Sequence, residues 1–246
     1  MKYDNYIFDL YGTLADIHTN ESKPYLWKKC AAILTELGFP YDPHSLRADY
    51  HRFIEEETRH MLESTGSGPD IKPEIDLRKV FRKLMSPWMS DEQIDLFAIT
   101  FRVLSRDKLT LYPEVPAIFD AIHEGGGRVY LLSNAQSCFT LPEIKVLGIY
   151  DMFDDIFISS DMGCAKPDVR FMNMLIRKHK LDTGRSVMIG NDYNSDIKIA
   201  NKVGMDSLYI ETETSPVRIP TKKIGATYAD LTHRQPRLEY FKENLI

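Results

Sequence analysis

Close to the N-terminus, Tyr6, Ile7 and Phe8 run directly into Asp9, and Gly12 and Thr13 follow within four positions. A short apolar run of this kind predicts a buried strand, and Gly12 punctuates its end. The Asp9 carboxylate then stands at the carboxyl end of that strand, where open α/β sheets bind their ligands. An aspartate in this place also serves as a turn residue or helix cap. The rest of the chain has to decide between the two.

Between about Pro24 and Arg106 no convincing strand is found, and helical spacing dominates. Pro24 opens the first helix as a first-turn proline. Trp27, Cys30, Ala31, Leu34 and Leu37 follow at helical intervals until Gly38 ends it. His44 to Glu63, Glu74 to Met85 and Asp91 to Leu104 are the next helices, with Ser90 as N-cap of the last. The second closes on the loop Ser64-Thr65-Gly66-Ser67-Gly68-Pro69. Trp27, Phe53, Phe81 and Trp88 are expected in the core of this bundle. From Leu111 onward strands and helices alternate. Strands are predicted at Val129–Leu132, Asp155–Ser159, Ser186–Ile189 and Asp206–Ile210, with a weak one near Ala226–Tyr228. Helices fall between them, and Gly125-Gly126-Gly127 is a C-cap and turn, because a phosphate loop would follow a strand and this triplet precedes one. Such alternation implies βαβ units and a parallel sheet. The expected fold class is therefore α/β: a Rossmann-like parallel-sheet core of residues 1–17 and 107–246, with a helical domain of residues 18–106 inserted near the N-terminus.

A net charge of −5 gives no electrostatic reason to expect nucleic acid. No apolar run reaches the 18 or so residues of a membrane span, and no signal peptide precedes the first strand. Cys30, Cys138 and Cys164 are odd in number and widely spaced, which points to reduced thiols and a cytoplasmic location rather than a disulfide framework or zinc site.

Four polar elements share one predicted address. Asp9 follows the first strand, Ser133-Asn134 the second and Asp192 a later one, while Lys166 lies in a loop before a helix. In a parallel sheet all of them lie along the same edge. A carboxylate can form a covalent intermediate with phosphorus or carbon. Lys166, Ser133 and backbone N–H groups near Gly12 supply the partners a phosphoryl group needs. Two carboxylates facing a phosphate call for a hard divalent cation with oxygen ligands, so Asp9 and Asp192 are expected to hold Mg2+, supported by Asp196 one helical turn on.

These segments resemble the motifs of the haloacid dehalogenase superfamily: FDLYGTL at 8–14, LLSN at 131–134, AKPD at 165–168 and IGNDYNSD at 189–196. Their order spans nearly the whole chain, and the helical insertion matches the family's smaller cap domain. The resemblance implies a Rossmann-like core under a mobile cap. It makes Asp9 the nucleophile, places Gly12, Thr13, Ser133, Asn134 and Lys166 on the substrate, and puts Mg2+ on Asp9, the Tyr11 backbone carbonyl and the fourth-motif acids Asp192 and Asp196.

The chain departs from the family's phosphatases at Tyr11, where a second aspartate commonly acts as acid and base. A phenol with a pKa near 10 is a poor base at neutral pH, and loss of a positioned acid/base costs on the order of 10²–10⁴ in rate. The DxYGT form resembles the L-2-haloacid dehalogenases, whose halide needs no proton. Asn191 also stands where the first acid of the fourth motif usually falls. The retained acids outweigh Tyr11, because carboxylates held close together need a cation. The expected activity is that of a Mg2+-dependent phosphatase on a small phosphorylated metabolite through an aspartyl-phosphate intermediate. The alternatives are a dehalogenase-like hydrolase using an aspartyl ester and a catalytically weak protein that binds a phosphometabolite. Arg47, Arg52, Arg59 and Arg102 are read as a solvated helix face.

Overall fold

The computed structural model of the chain describes residues 1–66, 68, 71–215 and 225–246. Ser67 and Pro69 of the loop predicted after the second helix therefore lie outside the described residues. The strands are β1 (Asn5–Phe8), β2 (Ala15–Thr19), β3 (Arg106–Leu111), β4 (Arg128–Ser133), β5 (Asp155–Ile158), β6 (Ser186–Gly190), β7 (Asp206–Ile210) and β8 (Tyr228–Asp230). The helices are α1 (Pro24–Glu36), α2 (Pro43–Thr65), α3 (Leu77–Leu84), α4 (Asp91–Ser105), α5 (Val115–Glu124), α6 (Ser137–Val146), α7 (Ser159–Met162), α8 (Val169–His179), α9 (Lys198–Val203) and α10 (Leu238–Asn244).

Six strands form one sheet in the order β5-β4-β1-β6-β7-β8, all neighbours parallel. The chain builds outward from β1 through β4 to β5, then crosses back to β6 on the other side of β1. Strand order thus reverses around β1, and the crevice at its carboxyl end is the switch point where such sheets place a ligand. Side chains alternate along β1 as a strand requires. Tyr6 and Phe8 enter a core with Val115, Ile118, Phe119 and Phe241, while Ile7 enters one with Phe171, Leu175, Ile199 and Ala200. α5 and α10 therefore cover one face, and α8 and α9 the other.

Helices α1–α4 leave and rejoin this core through β2 and β3, an antiparallel ribbon that the sequence pattern did not predict. Their own core gathers Leu26, Trp27, Leu34, Phe81, Phe97 and Phe101, and continues into Cys138 and Phe139 of α6. Two details differ from expectation. α3 begins at Leu77 rather than Glu74, because Asp76 caps it and the preceding segment bridges Pro73 to Cys164. Trp88 is 92% exposed, since it sits in the turn between α3 and α4 rather than on a helix face. Gly126, with φ +84°, turns the chain from α5 into β4, and the three cysteines are buried and unpaired. No helix among the described residues is long and apolar enough to cross a membrane.

Phe101 is 1% exposed between Trp27, Tyr50, Phe81 and Phe139. Phe101→Ala is expected to lower unfolding free energy by about 3–5 kcal/mol, read as a shift in the urea midpoint. A change below about 1 kcal/mol would mean this cluster does not stabilise the fold.

Candidate active site

Strand pairing continues one residue beyond β1, where the Asp9 N–H donates to Ile189 O at 2.9 Å. This carries the Asp9 carboxylate into the crevice between β4 and β6. Lys166 reaches it from the loop after α7, and Asn134 fixes that loop to the end of β4. The Lys166 N–H donates to Asn134 Oδ1 at 2.7 Å, and Asn134 Nδ2 donates to Lys166 O at 2.9 Å.

The Lys166 ammonium is the electrostatic centre. It donates to Asp9 Oδ1 at 2.7 Å and Leu132 O at 2.6 Å, and pairs with Asp196 Oδ1 at 2.8 Å. Three protons meet three acceptors, so its hydrogen-bonding capacity is filled. Its side chain is 1% exposed and that of Asp196 also 1%, against 12% for Asp9; only the nucleophile candidate keeps an open side. Burial pulls the Lys166 pKa down, but the charges of Asp196 and Asp9 outweigh it and hold the group above its ordinary value. Burial raises the Asp196 carboxyl, with Lys166 opposing and Asp9 adding to the rise.

Around Asp9 lie hydroxyls and an amide. Ser133 Oγ is 3.5 Å from Asp9 Oδ1, and Thr13 Oγ1 is 3.5 Å from both Asp9 Oδ2 and Asn191 Oδ1. Asn191 Nδ2 donates to Thr212 Oγ1 at 3.2 Å and Thr214 Oγ1 at 3.4 Å, which leaves the amide oxygen on the side of Thr13. Gly12 permits this approach: its φ is +83°, and a Cβ there would lie 2.2 Å from Asn191 Nδ2. Gly190 does the same for Asp196, whose Oδ2 would be 2.2 Å from a Cβ. The resulting cleft, about 210 Å3, is lined by Asp9, Tyr11, Asn134, Lys166, Asn191, Asp192, Ser195, Asp196 and Thr214.

Asp9, Thr13, Ser133, Asn134, Lys166 and Asp196 thus come together at one sheet edge. Asp192 lines the same cleft, but its oxygens accept from Asn194 N–H at 2.9 Å and Ser195 Oγ at 2.8 Å, tying down the turn at Tyr193–Ile197. Among the described residues, no three His, Cys, Asp or Glu side chains are gathered as a metal cage. Tyr11 turns its hydroxyl out of the cleft. It bonds Thr140 Oγ1 at 3.0 Å and Glu143 Oε2, and burial, with the neighbouring Glu143 charge, raises the phenol pKa further. Glu143 is 2% exposed and is held by Arg102 Nε at 2.8 Å and Arg106 Nη1 at 2.7 Å. Arg102, expected on a solvated face, is therefore mostly buried against a carboxylate. Arg52 does lie at the surface, between Asp49 and Glu56.

Glu143, Thr140, Thr212 and Thr214 were missed from the sequence. The two threonines had a signal, since they follow β7 as Asp9 follows β1. Glu143 had none, being a lone acid within α6.

Residues 3–204 match the haloacid dehalogenase-like hydrolase family, and the chain belongs to that family. Among curated relatives, the phosphoglycolate phosphatase of Vibrio vulnificus strain YJ016 is 28% identical over 205 residues, 81% of this chain and 80% of the relative. The glyceraldehyde 3-phosphate phosphatase of Methanothermobacter thermautotrophicus is 28% identical over 120 residues, 49% of this chain. The match spans 53% of that relative's length. The magnesium-bound structure of the HAD-hydrolase YfnB from Bacillus subtilis aligns over 100% of both chains, with a TM-score of 0.55 and 17% identity. It shares the fold.

Lys166→Met would leave Asp9 and Asp196 as uncompensated buried carboxylates, a loss of about 3–5 kcal/mol. Without the opposing Lys166 charge, the Asp196 carboxyl already raised by burial would lie further above its unfolded value, so the folded state would bind more protons and stability would fall as pH rises through that window. The expected result is a larger loss at pH 8 than at pH 5 in denaturant titrations with chelator present. An equal loss at both would contradict the pairing.

Proposed function

We propose that the chain is a Mg2+-dependent phosphatase that acts on a small phosphorylated metabolite through an aspartyl-phosphate intermediate. The observation that carries this reading is Asp9, partly open to the cleft, held at 2.7 Å by a buried ammonium that a second carboxylate keeps charged. Lys166 orients the Asp9 carboxylate by binding Oδ1, which leaves Oδ2 toward the cleft to attack phosphorus. The Ser133 and Thr13 hydroxyls lie 3.5 Å from the Asp9 carboxylate, and the Asn134 amide lines the cleft where phosphoryl oxygens would sit, beside the fixed positive charge of Lys166.

The donors around the cleft suit magnesium. They are oxygens only, two carboxylates share one ammonium, and Mg2+ is commonly held by one or two carboxylates, waters and substrate phosphate rather than by an all-protein cage. Asp9, the Tyr11 carbonyl and Asp192 would hold the ion, the Asn191 amide oxygen lies beside Thr13 Oγ1, and Asp196 supports the set through Lys166. Bound there, magnesium would neutralise phosphate charge and orient it for in-line attack. Residues 18–106 would serve as the cap over this site. The unpaired cysteines suit a reducing, cytoplasmic setting.

Phosphate release from a panel of phosphomonoesters is expected with Mg2+ and absent with EDTA, and Asp9→Asn should lower it by on the order of 10³ or more. Halide release from 2-chloropropionate in EDTA, without phosphate release from any ester, would replace this reading with the dehalogenase one.

A further inference from the structure

Among the described residues, the cleft holds a candidate nucleophile and a fixed cation, but no side chain poised to give up a proton. Each acid or donor that lines it is committed elsewhere. The Tyr11 hydroxyl faces Thr140 and Glu143. The Asp192 oxygens accept from Asn194 N–H and Ser195 Oγ. Asp196 accepts from Lys166 through Oδ1 and from the Asp192 N–H through Oδ2 at 3.0 Å. Lys166 spends its three protons on Asp9, Asp196 and Leu132 O. The other described lining donors, the Asn134 and Asn191 amides and the Thr214 and Ser195 hydroxyls, bond without surrendering a proton at neutral pH.

We infer that the site is built for phosphate compounds whose leaving group departs as a stable anion: acyl, enol and aryl phosphates, in preference to alkyl phosphate esters. This rests on the phosphatase reading above and narrows its substrate class. It also sets the chain apart in expected chemistry from the phosphoglycolate phosphatase it resembles, whose named substrate is an alkyl ester. In the first step Asp9 Oδ2 attacks phosphorus while the bond from phosphorus to the leaving oxygen breaks. The leaving group takes the electron pair and departs as carboxylate, enolate or phenolate. In the second step water attacks phosphorus, the bond to Asp9 breaks and the carboxylate is restored. Both water protons leave on the dihydrogen phosphate formed. Asp9 is itself a good leaving group, so this step also proceeds without a strong acid.

Leaving groups span a wide range, from about 4 for a carboxylic acid to about 10 for a phenol, with alkoxides higher still. With no positioned acid, kcat/KM should track this scale, because such an acid is worth on the order of 10²–10⁴. The test is kcat/KM for the full-length protein with Mg2+ on acetyl phosphate, phosphoenolpyruvate, p-nitrophenyl phosphate, phenyl phosphate, glycerol phosphate and phosphoglycolate. Asp9→Asn serves as the background. The expected result is a fall of at least 10²-fold from the activated compounds to the two alkyl esters, and the first three probes separate acyl, enol and aryl sources. Tyr11→Asp should narrow that gap by raising the alkyl esters selectively. If this variant fails to fold once the bond to Glu143 is lost, the wild-type series decides alone. Asp9-dependent turnover of alkyl esters as fast as the activated ones would overturn the inference and leave the phosphatase reading standing. No phosphate release from any compound would overturn both.

Discussion

One buried ammonium holds the functional end of this molecule together. Lys166 lies where a lone charge would be prohibitively expensive, and its neighbours Asp9 and Asp196 would be as costly without it. Each makes the others tolerable, and the three come from sequence positions 9, 166 and 196. The parallel sheet brings them together: β1 delivers Asp9, the turn after β6 delivers Asp196, and Asn134 at the end of β4 ties down the Lys166 loop. The asymmetry of burial matters for chemistry. Asp196 is enclosed and serves charge balance, whereas Asp9 keeps an open side and can react.

A second buried carboxylate organises the neighbouring wall. Glu143 on α6 receives Arg102 from α4, Arg106 from β3 and the Tyr11 hydroxyl from the loop after β1. The helical insertion, its return strand and the loop after β1 therefore meet at one charge. Tyr11 ties that loop to α6, its hydroxyl committed to Thr140 and Glu143.

Much of this was legible in the sequence. The apolar run ending at Asp9, the alternation after Leu111, the placing of Ser133 and the acids at strand ends and of Lys166 in the loop before a helix follow from periodicity and the geometry of parallel sheets. The β2–β3 ribbon was not legible, because Ala15–Thr19 and Arg106–Leu111 are short, largely polar and separated by the whole insertion. Arg102 was misread because a buried ion pair with a partner 41 residues away leaves no local trace. Trp88 was misread because aromatic content alone does not distinguish a helix face from a turn. Asp192 was placed correctly at the cleft, yet its bonds to Asn194 and Ser195 depend on a local turn that strand counting does not describe.

The account stands or falls on Asp9 becoming covalently bonded to the group it attacks. Acid quenching during turnover of a radiolabelled phosphate donor, followed by digestion and peptide mapping, measures this directly. The label should appear on the peptide carrying Asp9, at a level that rises and decays with substrate, and be absent from Asp9→Asn. Sustained phosphate release with no label on that peptide, or label on another residue, would contradict it.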